Sequence, residues 1–212
     1  PEDRAAYHAE RGLAFLAEDK IAAASIEFRS TLSFDPKNGI ANLELANLAE
    51  AEGRRKDATF YLQEALSTDE TNGELILRLA TLLRDDEPWR ARRLLMSAVA
   101  RDPKDAVAYL ALSQVELSMG QHQQALNSVK RSISLDDSIP GSYWQLGILY
   151  ESLINQATKT SFTFDGDLSA SAVRAFDDFV AHGGEPEWKA RLEQARVLAT
   201  GKRNRTEAMA AA

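Results

Sequence analysis

An all-α fold, an α-solenoid of stacked antiparallel helix pairs, is predicted by three features of this sequence. One repeat period is carried by three separate residue registers, helix-ending residues fall between its parts, and the composition favours a folded chain. Small residues after an apolar stretch stand at Gly12, Ala46, Ala80, Ser113 and Gly147, spaced 34, 34, 33 and 34. A second small register runs Ala24, Ala58, Ala91, Ala125 and Ala172, spaced 34, 33, 34 and 47. An acidic register holds Asp35, Asp69, Asp102 and Asp136, spaced 34, 33 and 34. A fixed period of this size marks an architecture in which each unit buries its apolar face only by stacking on its neighbours.

Apolar periodicity and capping residues place helix pairs at about 5–18 with 21–33, 39–52 with 55–67, 73–86 with 88–100, 106–119 with 122–135, and 140–154 with 169–182. The small slots let two helix backbones approach, while Phe28, Leu62, Leu95, Val129 and Phe176 fill the space beside them. Gly53 and Gly120 sit where the first helix of a pair ends and the chain reverses, a position that favours left-handed backbone. Asp35-Pro36 and Asp102-Pro103 stop the second helix of their pairs. The third unit is one residue short in its turn, where Asp85, Asp86 and Glu87 precede Pro88, a strong helix start.

The fifth unit departs from the pattern. Gly147 and Ala172 are 25 residues apart where 12 is normal, an insertion of 13 within Asn155–Ser171. Its stretch from Thr160 to Leu168 alternates polar and apolar residues around an Asp-Gly signal and predicts a short hairpin or an ordered loop. Phe162 and Phe164 there either pack on the last units or contact a partner. Beyond His182-Gly183-Gly184, a helix stop, residues from Pro186 to about Thr200 form one more amphipathic helix, with Trp188, Leu192 and Ala195 on one face, read as the solvating cap of a solenoid. Residues 201–212 carry no periodicity and are expected to be a flexible tail.

On these residues the chain resembles the tetratricopeptide-repeat family, whose 34-residue unit is a helix, a tight turn and a second helix. Gly12, Phe15, Ala24, Phe28 and Asp35-Pro36 carry the resemblance in the first unit, and Leu45-Ala46, Gly53, Ala58 and Ala65 in the second. Leu79-Ala80, Ala91, Ala98 and Asp102-Pro103 carry it in the third, and Tyr109, Leu112-Ser113, Gly120, Ala125 and Leu135-Asp136 in the fourth. The fifth has Tyr143, Leu146-Gly147, Tyr150, Ala172 and Phe176. The resemblance implies a single domain over residues 1–200, with repeats at about 5–38, 39–72, 73–105, 106–139 and 140–184 and a capping helix at about 186–200.

Composition narrows the function. The 212 residues are 44% hydrophobic and 27% charged, with only 11 Gly and 6 Pro, so the chain folds rather than remaining disordered. A formal charge of −7 works against phosphate-backbone attraction, so nucleic acid is not expected as partner. Zero Cys excludes a disulfide framework, a zinc ribbon and a thiol nucleophile. No run of eighteen apolar residues exists, so no transmembrane segment is expected. The start at Pro1 points to a preceding signal peptide, anchor or trimmed segment and leaves periplasmic, membrane-anchored and cytoplasmic locations open.

Signals for catalysis are few. His8, His122 and His182 are scattered, with His8 on a core-facing row, and no metalloprotease, nucleophile-elbow or phosphate-loop motif occurs. Asp165 and Asp167 lack the ligand series of a calcium loop, so no metal and no cofactor are expected. Trp89 with Arg90, Arg92 and Arg93 resembles a strand-gripping cluster, but Glu74, Asp85, Asp86, Glu87, Asp102 and Asp105 dilute it into a salt-bridged, solvated helix. Asn204-Arg205-Thr206 matches the glycosylation sequon, a short pattern of low specificity.

The resemblance implies that the first helix of each unit lines a concave groove that takes a peptide or helix. Carried over by position, the central row is Ala9, Leu43, Leu77, Leu110 and Trp144, and the next row is Leu13, Asn47, Thr81, Gln114 and Ile148. Glu50, Arg84, Leu117 and Glu151 lie further along the same face. The expected partner contacts are Leu43, Asn47, Leu77, Arg78, Thr81, Arg84, Leu110, Gln114 and Trp144, with Phe162 and Phe164 as an insertion contact. The Lys and Asn clamp of repeats that grip acidic chaperone tails is missing, since its first-unit slots hold Ala9 and Leu13, although Asn47 and Arg78 mimic parts of it. The sequence therefore predicts a non-enzymatic adaptor or scaffold for an apolar segment of another protein. The length, the missing start and five units with a cap look similar to bacterial envelope proteins that assist pilus, secretin or exopolysaccharide assembly. The rival reading is a structural homo-oligomer whose groove is filled by its own or another copy's segment.

Overall fold

A computed structural model describes residues 2–160, 167–187, 189–194 and 196–198. Its helices are α1 (Glu2–Ala17), α2 (Ile21–Phe34), α3 (Gly39–Ala51), α4 (Arg55–Thr68) and α5 (Gly73–Leu83). They continue with α6 (Pro88–Arg101), α7 (Ala106–Ser118), α8 (His122–Leu135), α9 (Pro140–Thr160) and α10 (Leu168–Ala181). Residues 189–194 and 196–198 are helical as well, and no strand occurs among the described residues. The chain forms two compact units, Pro1–Leu94 and Leu95–Ala212, with the boundary inside α6.

In the first unit, α1 packs antiparallel on α2 and α3 on α4, while α2 against α3 and α4 against α5 stack the pairs in chain order. Ala24, Phe28, Ala41 and Leu45 form its fully buried centre, with Phe15, Leu16, Leu32 and Tyr61 packed around them. Burying a side chain such as Phe28 contributes about 1.5–3 kcal/mol. The close approach that the small slots predict is seen directly at Gly12, where the Phe28 ring fills the place of a Cβ.

The ends of the first helices are closed by one device. Lys20 N donates to Phe15 O, Arg54 N to Ala49 O and Gln121 N to Glu116 O, each at 2.8 Å. This six-to-one bond is the Schellman closure, and it needs a left-handed residue just before the donor. Asp19 (φ 58°), Gly53 (φ 70°) and Gly120 (φ 72°) supply it. The turn after α5, one residue shorter, contains no left-handed residue. There Arg55, at the start of α4, reaches across instead. Its Nε donates to the Leu82 carbonyl at 2.8 Å, and its guanidinium pairs with Asp85 at 3.2 Å. A long-range side chain thus caps the Leu82 carbonyl, while the Glu87 N–H donates to the Leu83 carbonyl at 2.7 Å.

The acidic register has an equally specific cause. Asp35, Asp69, Asp102 and Asp136 each follow or end a second helix, and each carboxylate accepts the backbone N–H two residues on. Those N–H groups belong to Lys37, Thr71, Lys104 and Ser138, which makes four Asx turns at corresponding places. After three of them the next helix is N-capped by Asn38, Asn72 or Asp105, whose side-chain oxygen takes the N–H of Ala41, Leu75 or Ala108. Asp136 is held below the ordinary carboxylate range by the Ser138 hydroxyl first and by its N–H second.

In the second unit, α7 pairs with α8 and α9 with α10. One centre is Ala125, Val129 and Leu149, ringed by Leu110, Leu117, Leu126, Ile133 and Leu146. The other, Tyr143, Ile154, Ala172, Phe176, Phe179, Ala190 and Val197, joins α9 and α10 to the helical residues near the C-terminus. Gly147 repeats the first unit's solution, with the Phe176 ring where its Cβ would be.

The inserted residues are spent largely on helix. The sequence placed the end of the fifth unit's first helix near 154, whereas α9 continues to Thr160, giving 21 residues against 13 for α3 and α7. Gln156, Lys159 and Thr160 are ordinary helix positions, with no Gly or Pro to stop them. Thr160 and Leu168, the ends of the expected hairpin, are helical, and Asp167 N-caps α10 by accepting the Ala170 N–H at 3.1 Å. Phe162 and Phe164 lie outside the described residues, as do Trp188, Ala195 and the expected tail at 201–212.

Candidate protein-binding faces

The first helices of the first unit, α1, α3 and α5, bring part of the predicted face together. Ala9 is buried, Leu43 and Leu77 are half-buried, and Leu13 is exposed. Leu43 and Leu77 are central-row residues one repeat apart. Beside them runs a polar cross-link that the sequence did not announce. Arg78 on α5 donates to Asn47 Oδ1 at 2.6 Å and to Glu50 Oε2 at 2.8 Å on α3, while Asn47 donates to Glu44 at 3.1 Å. Arg78 and Asn47, named as fragments of an anion clamp, are thus committed to each other and to carboxylates.

Thr81 is exposed, its hydroxyl donating to the Leu77 carbonyl at 2.9 Å, and Arg84 pairs with Asp85 at 3.2 Å. The Arg84 hydrogen bond is the first cause of an Asp85 carboxyl held below its usual range. At the other end of the unit His8 is half-buried against α2, its Nδ1 2.6 Å from Glu27 Oε2 and its ring stacked on Phe34. Arg11 pairs with the other oxygen of Glu27 at 3.1 Å. His8 is therefore a hydrogen-bonding partner of Glu27 between α1 and α2. Near Trp89, Arg90 pairs with Glu87 at 2.7 Å and bonds Gln63, and the Arg93 guanidinium lies 5.5 Å from the Trp89 ring centre.

In the second unit the corresponding residues are more deeply engaged. Leu110 is half-buried, packed on the Ala125, Val129 and Leu149 centre and in contact range of Gly141. Gln114 is half-buried on α7. Trp144 packs edge-on to Phe176 at 5.3 Å and against Phe179 at 5.2 Å, with Lys189 Nζ 4.8 Å from its ring centre. Glu151 meets Arg196 at 3.3 Å. Burial pushes the Glu151 carboxyl above its ordinary range, Arg196 counters it, and Glu193 adds to the rise. The C-terminal helical residues therefore cover part of the row that Trp144 and Glu151 occupy.

Sequence reasoning missed a crevice lined by residues of α2, α3, α4 and the α2–α3 joint. Leu32, Pro36, Phe60, Tyr61 and the fully buried Asn42 line a space of about 300 Å³, with Arg29 and Glu64 at its edge. The signal was present in the 34-residue register. Where the other repeats carry His8, Ile76, Tyr109 and Tyr143, the second carries the smaller Asn42. Among the described residues no helix is long and apolar enough to cross a membrane, and no three acidic or histidine side chains are grouped to hold a metal ion.

No family model matches the chain. A curated relative, the DnaJ homolog subfamily C member 7 homolog of Dictyostelium discoideum, is 27% identical over 143 residues, which are 59% of this chain and 26% of that protein. The chain thus spans about a quarter of the length of that relative. Among solved structures, a MamA protein is 23% identical with a TM-score of 0.69, covering 86% of this chain and 93% of that one. YrrB, described as a TPR protein with an unusual peptide-binding site, is 17% identical with a TM-score of 0.68, covering 89% and 90%. PilW, described as a widely conserved type IV pilus biogenesis factor, is 18% identical with a TM-score of 0.68, covering 95% and 89%. At these identities the likeness is one of fold, and the fold is the tetratricopeptide-repeat arrangement of helix pairs.

Proposed function

We propose that this protein of tetratricopeptide-repeat fold is a non-enzymatic adaptor or assembly scaffold that holds an apolar segment of a partner protein on the face of its first helices. The observation that carries the reading is the pair Leu43 and Leu77, which stay half-buried beside a polar cross-link while the core leucines at Leu45, Leu62 and Leu79 are closed off. Two leucines at repeat spacing, held in place by the Arg78 bridge between α3 and α5, offer apolar contact area with a fixed separation. Because Asn47 and Glu50 already occupy Arg78, the face selects apolar surface rather than an acidic tail. Thr81 and Arg84 stand beside these contacts, and Leu110, Gln114 and Trp144 are their counterparts in the second unit.

The likeness in fold to a peptide-binding repeat protein and to a pilus biogenesis factor supports a finer reading, assembly of a bacterial envelope complex such as a pilus, secretin or exopolysaccharide machine. The test is affinity capture from a native extract with the chain and with a Leu43→Glu, Leu77→Glu variant, circular dichroism showing that both fold. Leu43 and Leu77 are preferred to Leu110, whose packing on a core centre would confuse binding with folding. A partner kept by the parent and lost by the variant is expected. Equal retention by both, or return of copies of the chain alone, would sink the proposal.

A further inference from the structure

From the exposed faces of α2, α4 and α6 in the first unit we infer a surface that binds an anionic lipid bilayer. Each of these consecutive second helices holds one large apolar side chain in water: Ile26 at 64%, Phe60 at 58% and Trp89 at 56% exposure. Each also carries an exposed cation three or four residues away, Arg29 beside Ile26, Lys56 beside Phe60 and Arg93 beside Trp89. That spacing puts both members of a pair on one helix face. Ile26, Phe60 and Arg93 share one repeat position, 34 and 33 residues apart. The helices are also neighbours in space, since Arg29 and Phe60 line the same crevice and Arg90 of α6 donates to Gln63 of α4 at 2.7 Å.

The charge of this surface is positive although that of the chain is not. Asp57 is held by Arg54, and Glu87 by Arg90 at 2.7 Å, whereas no carboxylate among the described residues pairs with Arg29, Lys56 or Arg93. Glu64 alone offsets these three cations on α2, α4 and the start of α6. Up to Leu94 the second helices contain six basic and three acidic residues, while α1, α3 and α5 contain six acidic and three basic. Because α2 packs on α1 and α3, and α4 on α3 and α5, the exposed faces of α2 and α4 are turned away from the acid-rich helices.

Apolar surface kept in water is disfavoured, and a phase that takes it up recovers the loss. The boundary of a bilayer admits separate apolar side chains among its acyl chains while anionic headgroups meet the flanking cations, and firm binding of this kind needs both signals together. Arg93, 5.5 Å from the Trp89 ring centre, brings the two to one point. A nucleic acid strand would stack its bases on rings, but Ile26, the most exposed of the three, has none. A protein partner would gather the apolar residues into one dry centre depleted of charge, whereas here a cation stands beside each.

The test is sedimentation of the full chain with vesicles of equal parts phosphatidylcholine and phosphatidylglycerol, and with vesicles of phosphatidylcholine alone. Binding to the first should exceed binding to the second by at least about tenfold and weaken as salt is raised, since each cation at the surface contributes roughly fivefold. Lipids brominated on their acyl chains should quench the tryptophan emission of the parent, and quench that of Trp89→Ser less. One variant carries Ile26→Ser, Phe60→Ser and Trp89→Ser, and another Arg29→Gln, Lys56→Gln and Arg93→Gln. Both alter only exposed side chains, so both should keep the circular dichroism of the parent and lose at least about tenfold in partitioning. The Leu43→Glu, Leu77→Glu variant should still bind, which separates this surface from the partner-binding face. Equal binding to both vesicle types, binding to neither, or full retention by either folded triple variant would overturn the assignment. Capture by poly-glutamate that is lost in the Arg29→Gln, Lys56→Gln, Arg93→Gln variant, with vesicles left unbound, would make an acidic protein the occupant and overturn the lipid one.

Discussion

Gly12 and Phe28 share one volume: a Cβ built on Gly12 would lie 2.6 Å from Cε1 of the Phe28 ring. The same exclusion joins Gly147 to Phe176, again at 2.6 Å. In the second and fourth repeats the small slot is Ala46 or Ser113, and its partner position holds the smaller Leu62 or Val129. Glycine therefore goes with phenylalanine, and a residue bearing a Cβ goes with an aliphatic one.

Gly12→Ala should destabilise the chain by up to about 2 kcal/mol in urea melts, overpacking of roughly 1–3 kcal/mol being offset by about 1 kcal/mol of helix propensity. Phe28→Leu alone should also destabilise, by leaving a cavity. Together they recreate the Ala46 and Leu62 combination, so the double variant should be more stable than the two single losses added. Simple additivity would show that the slots do not compensate.

Asp19→Gly should stabilise by about 0.5 kcal/mol. Asp19 has φ 58° where the corresponding turns use Gly53 and Gly120, and left-handed backbone costs an L-residue on the order of 1 kcal/mol. A lower urea midpoint would mean that the Asp19 side chain contributes more than its backbone loses.

The Arg78 bridge should show measurable coupling to Glu50. A double-mutant cycle of Arg78→Ala with Glu50→Ala is expected to give about 0.5–1 kcal/mol, because both side chains are only partly screened by solvent. Zero coupling would remove the bridge as the element that fixes the spacing of Leu43 and Leu77.

Glu151 provides a pH signature. Its folded-state pKa is raised, chiefly by burial, so the folded chain binds this proton more readily than the unfolded one. The penalty is fully present above the raised value and is relieved as pH falls through it. Carboxyl-carbon NMR should find the midpoint above the model-compound value of 4.5 and higher still in Arg196→Gln, which loses the opposing charge. A midpoint at or below 4.5 would contradict the burial of this carboxyl.

Most of the fold was legible because its determinants are local. The small slots, Gly53 and Gly120 and the acidic register act within a few residues or at a fixed period, so α2, α4, α6 and α8 fall within a residue or two of expectation. The overrun of α9 to Thr160 was not legible, since a helix without a stop signal ends where packing lets it. At the candidate site the Leu43 and Leu77 positions follow from the period, whereas the Arg78 bridge joins residues 28 and 31 apart whose pairing no short-range pattern encodes. Lys189 over Trp144 depends on where the C-terminal helical residues dock. The Asn42 crevice was visible only as a break in register, and a missing side chain shows its meaning once the neighbours are in place.

The third turn sets a limit on how such a chain can be rearranged. Hairpins closed by their own Gly or Asp could be copied, deleted or grafted as interchangeable cassettes, because everything that ends their first helix travels with them. The third hairpin cannot, for its helix end borrows Arg55 from the hairpin before it. Moved alone into another array it would arrive without the cap on its Leu82 carbonyl, so the third hairpin, unlike the first, travels intact only with the hairpin before it.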